Sequence, residues 1–362
     1  MERRTNRKME KEDKKRFLEM PEVRVALYGV GVMGGNIAKL LIKKKGIKIV
    51  GAVDVAAGKV GKDLGEAIGA GKSLGITIRD DPDRLFSEVE ADVAIHATSS
   101  FLRDAYPQIV TLAKHGVNVV STCEELSYPY VSEPDLAKKL DKLAKEHDVT
   151  ILGTGINPGF LMDTLAITLT GVCQQVESIR IARVMNAANR RVPFQKKIGA
   201  GLTVGEFKER MAQKIITGHV GLQQSIAMIA DALGWTLQKI EVGAAEPVVA
   251  KKHAESEAIK VEAGQVSGLK QTAQGIMGGK PVITLVFEAY IGAEEEYDSI
   301  TVEGTPRIHE KITPCTHGDL ATTAIIVNSI PKVINAAAGL KTMKDLPVPS
   351  ATVSDMRLYI KR

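Results

Sequence analysis

Residues 23–54, VRVALYGVGVMGGNIAKLLIKKKGIKIVGAVD, constrain the fold more than any other part of the chain. An apolar run leads into the spacing Gly29-x-Gly31-x-x-Gly34, an amphipathic segment follows, and a second apolar run ends at Asp54. This order predicts a strand, a helix and a parallel strand. The first glycine makes a tight turn, the second lets the backbone approach a phosphate, and the third lets the helix pack closely on the strand. We therefore expect a βαβ unit that binds a dinucleotide.

The start of the predicted helix, with Val32 and Met33 between the glycines, is the expected pyrophosphate site. Asp54 can accept hydrogen bonds from both ribose hydroxyls, which favours NAD because a 2′-phosphate would meet a negative charge. Lys59 and Lys62 follow in a loop that we expect to be solvated, and they leave acceptance of NADP open.

Three further apolar runs, 91–100, 117–122 and 149–155, are short enough to be parallel strands, and helical patterns such as 135–147 separate them. Ligands of open α/β sheets bind outside the carboxyl ends of the strands. Polar residues follow these runs, and those that we expect to contact the cofactor are Thr98, Ser99, Ser100 and Asn157.

After about residue 160 the pattern indicates a mixed sheet with helices on one face. The candidate strands are 176–185, 258–266 and 281–291, and the helical stretches are 202–215, 221–234 and 317–340. The last stretch is apolar enough to return to the first domain.

The predicted fold class is α/β: an N-terminal Rossmann-like parallel sheet and a C-terminal mixed-sheet α+β domain, with the C-terminal helix returning to the Rossmann domain. The expected divisions are a basic flexible extension at 1–20, a cofactor-binding domain at 21–158, a domain for substrate binding and dimerisation at 159–310, and a C-terminal segment at 311–362 that packs on the first domain.

Charge and composition exclude several classes of partner. The first 16 residues carry eight Lys or Arg and four Asp or Glu, so they hold four of the five formal positive charges and the rest is nearly neutral. We expect no nucleic acid partner. No apolar run approaches the roughly 20 residues that span a bilayer, and no apolar segment follows the basic start, so we expect no membrane partner and a cytoplasmic location. The widely spaced Cys123, Cys173 and Cys315 indicate no metal site and no disulfide.

The stretch VNVVSTCEELSYP, 117–129, places two adjacent carboxylates, Glu124 and Glu125, at the end of a predicted buried strand. Burying a carboxylate costs several kcal/mol unless it is paired or keeps its proton. A solvated loop is the alternative. Adjacent residues in extended chain point to opposite sides, so at most one should face the cofactor. No Ser-His-Asp or metal-ligand spacing competes, so one of them is the best candidate base, and loop position favours Glu124.

The stretch NRRVPFQKKIGAGLTVGEF, 189–207, combines cations with a glycine-rich helix start. Cations, exposed amides and a helix dipole together suit a substrate carboxylate, although a mobile basic loop is an equal alternative. The residues predicted to bind substrate here are Arg190, Arg191, Lys196, Lys197, Gly199 and Gly201. His317, at a further helix start, could close over the ligand, whereas His96 is expected to be a core residue.

Five motifs in order, GVGVMGG, GKVGKDLGEAIG, STCEELSYP, GTGINPGF and RRVPFQKKIGAG, resemble 2,4-diaminopentanoate dehydrogenase and the related native amine dehydrogenases, from about residue 23 to the C-terminus. The first 150 residues are also similar to the cofactor domain of dihydrodipicolinate reductase. That family carries a paired-histidine segment and a Lys-x-Asp-Ala-Pro-Ser-Gly-Thr stretch, and this chain has NRRVPFQKKIGAGLTV instead. The departure argues against reduction of dihydrodipicolinate.

The resemblance implies a homodimer and NAD(P)-dependent oxidative deamination, in which the C4 amine of 2,4-diaminopentanoate becomes a ketone and ammonia leaves. One carboxylate would take a proton from the substrate ammonium and then activate water. Three alternatives stay open: a dehydrogenase of simple amines and ketones, a reductase similar to dihydrodipicolinate reductase, and a non-catalytic regulator that senses nucleotide through a Rossmann domain.

Overall fold

The computed structural model describes residues 20–361. The predicted extension at 1–20 therefore lies, except for Met20, outside the described residues. The strands are β1 (Val23–Tyr28), β2 (Ile47–Val53), β3 (Ile78–Arg79), β4 (Val93–His96), β5 (Asn118–Ser121), β6 (Thr150–Gly153), β7 (Gln175–Asn186), β8 (Lys239–Val242), β9 (Glu246–Val249), β10 (Ala254–Glu255), β11 (Lys260–Val261), β12 (Val266–Met277), β13 (Lys280–Tyr290), β14 (Tyr297–Thr305), β15 (Ile308–Ile312) and β16 (Gly339–Lys341).

The α-helices are α1 (Val32–Leu41), α2 (Leu64–Ala67), α3 (Pro82–Glu88), α4 (Leu102–Lys114), α5 (Pro134–Glu146), α6 (Thr164–Thr170), α7 (Val192–Lys197), α8 (Val204–Ala212), α9 (Leu222–Ala232) and α10 (Gly318–Ile334). Short 3₁₀ helices cover Glu125–Ser127, Pro129–Val131, Ala187–Asn189 and Met356–Tyr359.

The first sheet is parallel throughout, with the strand order β16-β6-β5-β4-β1-β2-β3. Its strands are apolar on both faces because helices cover both faces. Val25 and Leu27 pack in one core with Ile326 of α10, whereas Ala26 packs on the opposite side with Ile109 of α4. This is a Rossmann-like domain, and the predicted return of the C-terminal helix is confirmed.

The second sheet is mixed, with the order β15-β14-β7-β13-β12-β8 and with β9 also paired to β12. Strands β7 and β13 are parallel, and the other pairs are antiparallel. Helices α6 and α9 cover one face, where Ile226 and Ile229 of α9 share a core with Ile181 and Leu285. The predicted mixed-sheet C-terminal domain is confirmed.

Two predicted elements have the wrong extent. The expected strand 258–266 is reduced to β11, because the chain turns at Gly264, whose φ is +91°, before β12 begins. The true strand escaped prediction because polar residues such as Gln271 lie on its buried face. The expected helix 317–340 ends at Ile334, and residues 339–341 instead add strand β16 to the parallel sheet beside β6.

Candidate active site

A cleft of about 210 Å³ lies at the carboxyl ends of β4, β5 and β6. The predicted residues that line it are Met33, Thr98, Ser99, Ser100, Glu124 and Asn157. Thr122, Thr154 and Thr322 line it as well and were not predicted. Thr122 and Thr154 directly follow the ends of β5 and β6, so their position in the sequence could have identified them.

The glycine loop has the geometry that a bound pyrophosphate requires. Gly29 has φ +95°, and a Cβ there would lie 2.4 Å from the Ala97 carbonyl oxygen. A Cβ on Gly34 would lie 2.0 Å from the Gly29 carbonyl oxygen, so helix and loop meet backbone to backbone. At Gly31 a Cβ would meet no atom within 4 Å, and helix α1 begins at the exposed Val32 without a side-chain cap. Open space and uncapped helix amides together fit a dinucleotide phosphate.

Asp54 lies at the end of β2 beside this loop. Its Oδ2 accepts from the Val30 N–H at 2.8 Å and from Lys59 Nζ at 3.2 Å, and its Oδ1 accepts from the Ala56 N–H at 2.8 Å. Burial alone would raise the pKa of Asp54, but these hydrogen bonds and the Lys59 charge outweigh it and lower the pKa. The loop is exposed at residues 55–58 and at Lys62, as expected, but Lys59 is paired with Asp54 and only 30% of its side chain is exposed.

Glu124 lies just after β5, with its side chain partly buried at the cleft. Burial raises the pKa of Glu124. Its own N–H, the Ser100 hydroxyl and the charge of Lys197 oppose the rise without cancelling it. A carboxylate of raised proton affinity at a strand end is suited to accept a proton from a bound ligand.

Glu125 has different surroundings. Its Oε2 accepts from the Leu102 N–H at 2.7 Å, at the start of α4, and its own N–H donates to the Ser100 carbonyl oxygen at 3.1 Å. The carboxylate thus satisfies a helix N-terminus. Glu124 lines the cleft and Glu125 does not.

Other predicted cofactor residues are engaged with the protein. Thr98 Oγ1 donates to the Gln108 side chain at 2.6 Å, Ser99 Oγ donates to Asp104 at 3.0 Å, and Asn157 Oδ1 accepts from the Met162 N–H at 3.1 Å. These bonds hold the side chains in fixed positions along the cleft. Buried beneath them, His96 contacts Ser121 and Gln108, and burial lowers its pKa to about 4, so it is a neutral core residue.

The four predicted cations have separate surroundings. Asp319 forms ion pairs with Arg190 at 3.2 Å and with Arg191 at 2.9 Å, and burial lowers the pKa of Arg190. Lys196 is exposed. Lys197 is the one whose charge acts on Glu124 in the cleft.

The prediction that Gly199 and Gly201 present free amides to a carboxylate is wrong. The Gly199 N–H donates to the Lys196 carbonyl oxygen at 3.1 Å, and the Gly201 N–H donates to the Val266 carbonyl oxygen at 2.9 Å. Both glycines have positive φ, which serves the turn between α7 and α8. Helix α8 itself begins with a capping box of Thr203 and Glu206, in which the N–H groups of these two residues are occupied.

His317 is the N-cap of α10, where its Nδ1 accepts from the Leu320 N–H at 3.4 Å. Its side chain is exposed, and it does not line the cleft. Thr322, one turn along α10, does line the cleft, and its Oγ1 accepts from the Ile156 N–H at 3.3 Å.

Sequence reasoning missed a buried polar group on the C-terminal sheet. Arg183 is 1% exposed, and it donates to Asp298 Oδ1 at 2.8 Å and to the Thr316 carbonyl oxygen. His219 is stacked on Phe287 with 4.5 Å between ring centroids. Burial, with the nearby charges of Arg183 and Lys197, lowers the pKa of His219 to about 3. The charge of Lys197 thus acts on both His219 and Glu124.

A signal for this group was present in the sequence. Ile179, Ile181 and Met185 alternate along β7 on the buried face, and Arg183 occupies the same face in place of an apolar residue. Asp298 lies directly opposite Arg183 on β14. A charged residue that interrupts a buried alternation indicates a buried ion pair or a ligand contact.

A second, larger cleft of about 640 Å³ opens on the C-terminal sheet, away from the parallel strand ends. Its exposed Glu294 is paired with Lys252 at 2.8 Å, and its partly buried Glu288 is paired with Lys270 at 2.9 Å. Between residues 20 and 361, no group of three or more His, Cys, Asp or Glu side chains could hold a metal ion. Within the same range, no helix combines the length and apolar character that crossing a membrane needs.

Family models, curated proteins and solved structures all show similarity between this chain and amine dehydrogenases or a related reductase. Residues 160–362 match the family model described as 2,4-diaminopentanoate dehydrogenase C-terminal domain, and residues 23–127 match dihydrodipicolinate reductase, N-terminus. The chain is 38% identical to 2,4-diaminopentanoate dehydrogenase of Acetoanaerobium sticklandii, over 93% of this chain and 97% of that protein. It is 22% identical to an amine dehydrogenase of Streptomyces virginiae, over 91% of this chain and 97% of that protein. The structure of an amine dehydrogenase from Mycobacterium smegmatis matches this chain with a TM-score of 0.79 and 29% identity. The match covers 92% of this chain and 98% of that one.

Proposed function

This chain belongs to the 2,4-diaminopentanoate dehydrogenase family, and from that premise we propose that it oxidatively deaminates 2,4-diaminopentanoate at C4. It is a dehydrogenase, an oxidoreductase that acts on amines. The proposed products are 2-amino-4-oxopentanoate, ammonia and reduced cofactor, with reductive amination as the reverse reaction. The observation that carries the proposal is the partly buried Glu124, with its raised pKa, at the cleft.

The proposed cofactor is NAD, with NADP also accepted. The Gly29–Gly34 loop and the start of α1 would hold the pyrophosphate, and Asp54 would contact the adenosine ribose. The cofactor supplies a hydride acceptor. Thr154 supports binding at the opposite end of the site, because its buried Oγ1 lines the cleft and has no hydrogen-bond partner among the described residues.

Glu124 is the proposed base for both proton transfers. Hydride can leave the amine-bearing carbon only when the nitrogen has a free lone pair, so the substrate ammonium must first lose a proton. Glu124 takes this proton and releases it to solvent, and the substrate becomes an iminium as its carbon loses a hydride. Water attacks the iminium carbon and gives a proton to the same carboxylate, which passes it to the amine nitrogen. Ammonia then leaves as the hydroxyl group loses its proton and the ketone forms. General-base help of this kind contributes roughly 10²- to 10⁴-fold.

Arg183, His219 and Lys197 support a substrate that carries a carboxylate. Asp298 and the Thr316 carbonyl oxygen hold Arg183 rigidly, so its remaining N–H groups are already oriented. His219 is neutral at physiological pH and can donate one hydrogen bond. A simple amine would forgo hydrogen bonds and charge attraction to these groups, which disfavours its binding relative to a substrate with a carboxylate.

A dehydrogenase of simple amines is the second candidate, favoured by the names of the Streptomyces and Mycobacterium relatives. The family model described as dihydrodipicolinate reductase, N-terminus, matches residues 23–127, which lie in the cofactor half. A non-catalytic regulator would need neither Glu124 at the strand end nor the buried cationic group.

A substrate panel tests the proposal. Purified protein with NAD is given 2,4-diaminopentanoate, 4-aminopentanoate or 2-aminopentane, and formation of NADH is followed. We expect kcat/KM for the diamino acid to exceed that for 2-aminopentane by about 100-fold or more, since hydrogen bonds to a charged group contribute ~1.5 to 3 kcal/mol each. Equal efficiency on both would favour the simple-amine alternative, and no NADH from any amine would refute the proposal.

A homodimer, which the family resemblance implied, stays a proposal. Mass measurement in solution should give twice the 38.9 kDa of the chain, and a species of 38.9 kDa alone would remove it.

A further inference from the structure

The ribose end of the site contains an ion pair between Asp54 and Lys59. Lys59 Nζ lies 3.2 Å from Asp54 Oδ2, and the two side chains are 30% and 10% exposed. The turn that carries Lys59 is fixed, because the Lys59 N–H donates to the Ala56 carbonyl oxygen at 2.8 Å and the Gly61 N–H donates to the Ile78 carbonyl oxygen at 2.9 Å. The cation is therefore held beside the acid.

Asp54 itself does not depend on Lys59 for its position. Its two oxygens also accept from the N–H groups of Val30 and Ala56, both at 2.8 Å. A carboxylate has about four acceptor positions, and these three contacts leave one for a ribose hydroxyl. Loss of the lysine would thus remove a charge and leave the acid in place.

We infer that Lys59 determines how well the site accepts a 2′-phosphate, by neutralising Asp54 and by offering the phosphate a cation. The inference rests on the proposed nicotinamide cofactor and adds a specificity-determining residue to it. An unpaired aspartate repels a 2′-phosphate, whereas the Lys59–Asp54 pair is close to neutral and can open towards an anion. A ribose 2′-hydroxyl carries no charge, so NAD should be nearly indifferent to the lysine.

The chain provides a matched control in the same loop. Lys62 is exposed and forms no ion pair with any described residue. Lys59→Met and Lys62→Met remove the same charge from positions three residues apart, so a general effect of net charge would appear in both. Lys59→Arg keeps the charge and should restore the behaviour of the parent protein.

Binding of NAD⁺ and NADP⁺ is measured by titration calorimetry on the full chain without amine, so that no turnover occurs. We expect Lys59→Met to weaken NADP⁺ binding by about tenfold or more and to change NAD⁺ binding by less than about threefold. Lys62→Met and Lys59→Arg should leave both affinities within about threefold. The difference between the two cofactors should also decrease at high salt.

The outcomes distinguish an error in the proposed cofactor from an error in the proposed role of Lys59. If the parent protein binds neither nucleotide, the proposed cofactor is wrong and the role of Lys59 is wrong with it. If both nucleotides bind but Lys59→Met weakens them equally, or leaves NADP⁺ unaffected, only the role of Lys59 is overturned. Thermal unfolding of the unliganded variants checks that Lys59→Met is folded, and failure of Lys59→Arg to bind NADP⁺ would also count against the inference.

Discussion

Glu124→Gln removes a charge from the cleft and keeps the size and hydrogen-bonding capacity of the side chain. We expect turnover to fall by about 10²- to 10⁴-fold, which is the usual contribution of a general base. At about 1.36 kcal/mol per factor of ten, this loss is ~2.7 to 5.4 kcal/mol of transition-state stabilisation. NAD should still bind, because the glycine loop follows β1 and Asp54 follows β2, whereas Glu124 follows β5.

Glu125→Gln is the matched control, with the same chemical change one residue away. Its carboxylate accepts from the Leu102 N–H at 2.7 Å and lies outside the cleft. Weakening this contact at the start of α4 should lower the free energy of unfolding by about 0.5 to 2 kcal/mol. Turnover should stay within about tenfold of the parent protein, so the two variants should show opposite defects.

Steady-state kinetics from about pH 7 to pH 10, with thermal unfolding of each variant, provide the assay. The defect of Glu124→Gln should lessen as pH rises, because more substrate then arrives with a neutral amine, and it should not vanish because water still needs activation. Near-normal turnover in Glu124→Gln beside an inactive Glu125→Gln would reverse the assignment. Near-normal turnover in both would refute the carboxylate-base mechanism.

Three further predictions concern single sites. Burial raises the pKa of Glu124, so the contribution of this residue to stability is greatest in acid and falls as pH rises through the folded-state pKa. Glu124→Gln should therefore unfold at a higher temperature than the parent protein at neutral pH. This difference in unfolding temperature should be gone below about pH 4. Asp54→Ser should weaken NAD binding by about 10- to 100-fold in calorimetry and weaken NADP less or improve it, and equal losses would mean that Asp54 does not distinguish the 2′ position. His219→Phe keeps the ring on Phe287 and should raise KM for the diamino acid by about tenfold, while efficiency on 2-aminopentane stays constant.

The cofactor half of the fold could be predicted because its signals are short in range. A strand, a glycine turn and a helix lie within residues 23–41. Each apolar run of the parallel sheet indicates a strand that is buried on both faces. The carboxylate pair could be located at a strand end for the same reason. The choice between Glu124 and Glu125 could not be made from the local sequence. The Leu102 N–H that donates to Glu125 lies at the start of α4, 23 residues earlier in the chain.

The substrate half could not be predicted to the same depth, because its contacts join distant residues. Arg183 and Asp298 are 115 residues apart and meet only through the pairing of β7 with β14. Gly199 and Gly201 suggested exposed N–H groups, but the Gly201 N–H donates to the carbonyl oxygen of Val266, 65 residues later in the chain. Local composition indicates available donors, and only the tertiary structure shows which of them are already used.

Helix α10 explains why the two halves of the site form together. It follows the last strand of the C-terminal sheet and packs on the parallel sheet, where Ile326 joins the core of β1. Its first turn carries Asp319, which forms ion pairs with Arg190 and Arg191 just before α7. One turn further, Thr322 accepts from Ile156 in the loop after β6 and lines the cleft. A single helix thus fixes the start of α7, the cleft wall and the parallel sheet relative to one another, so the shape of the cleft around Glu124 depends on contacts between distant parts of the chain.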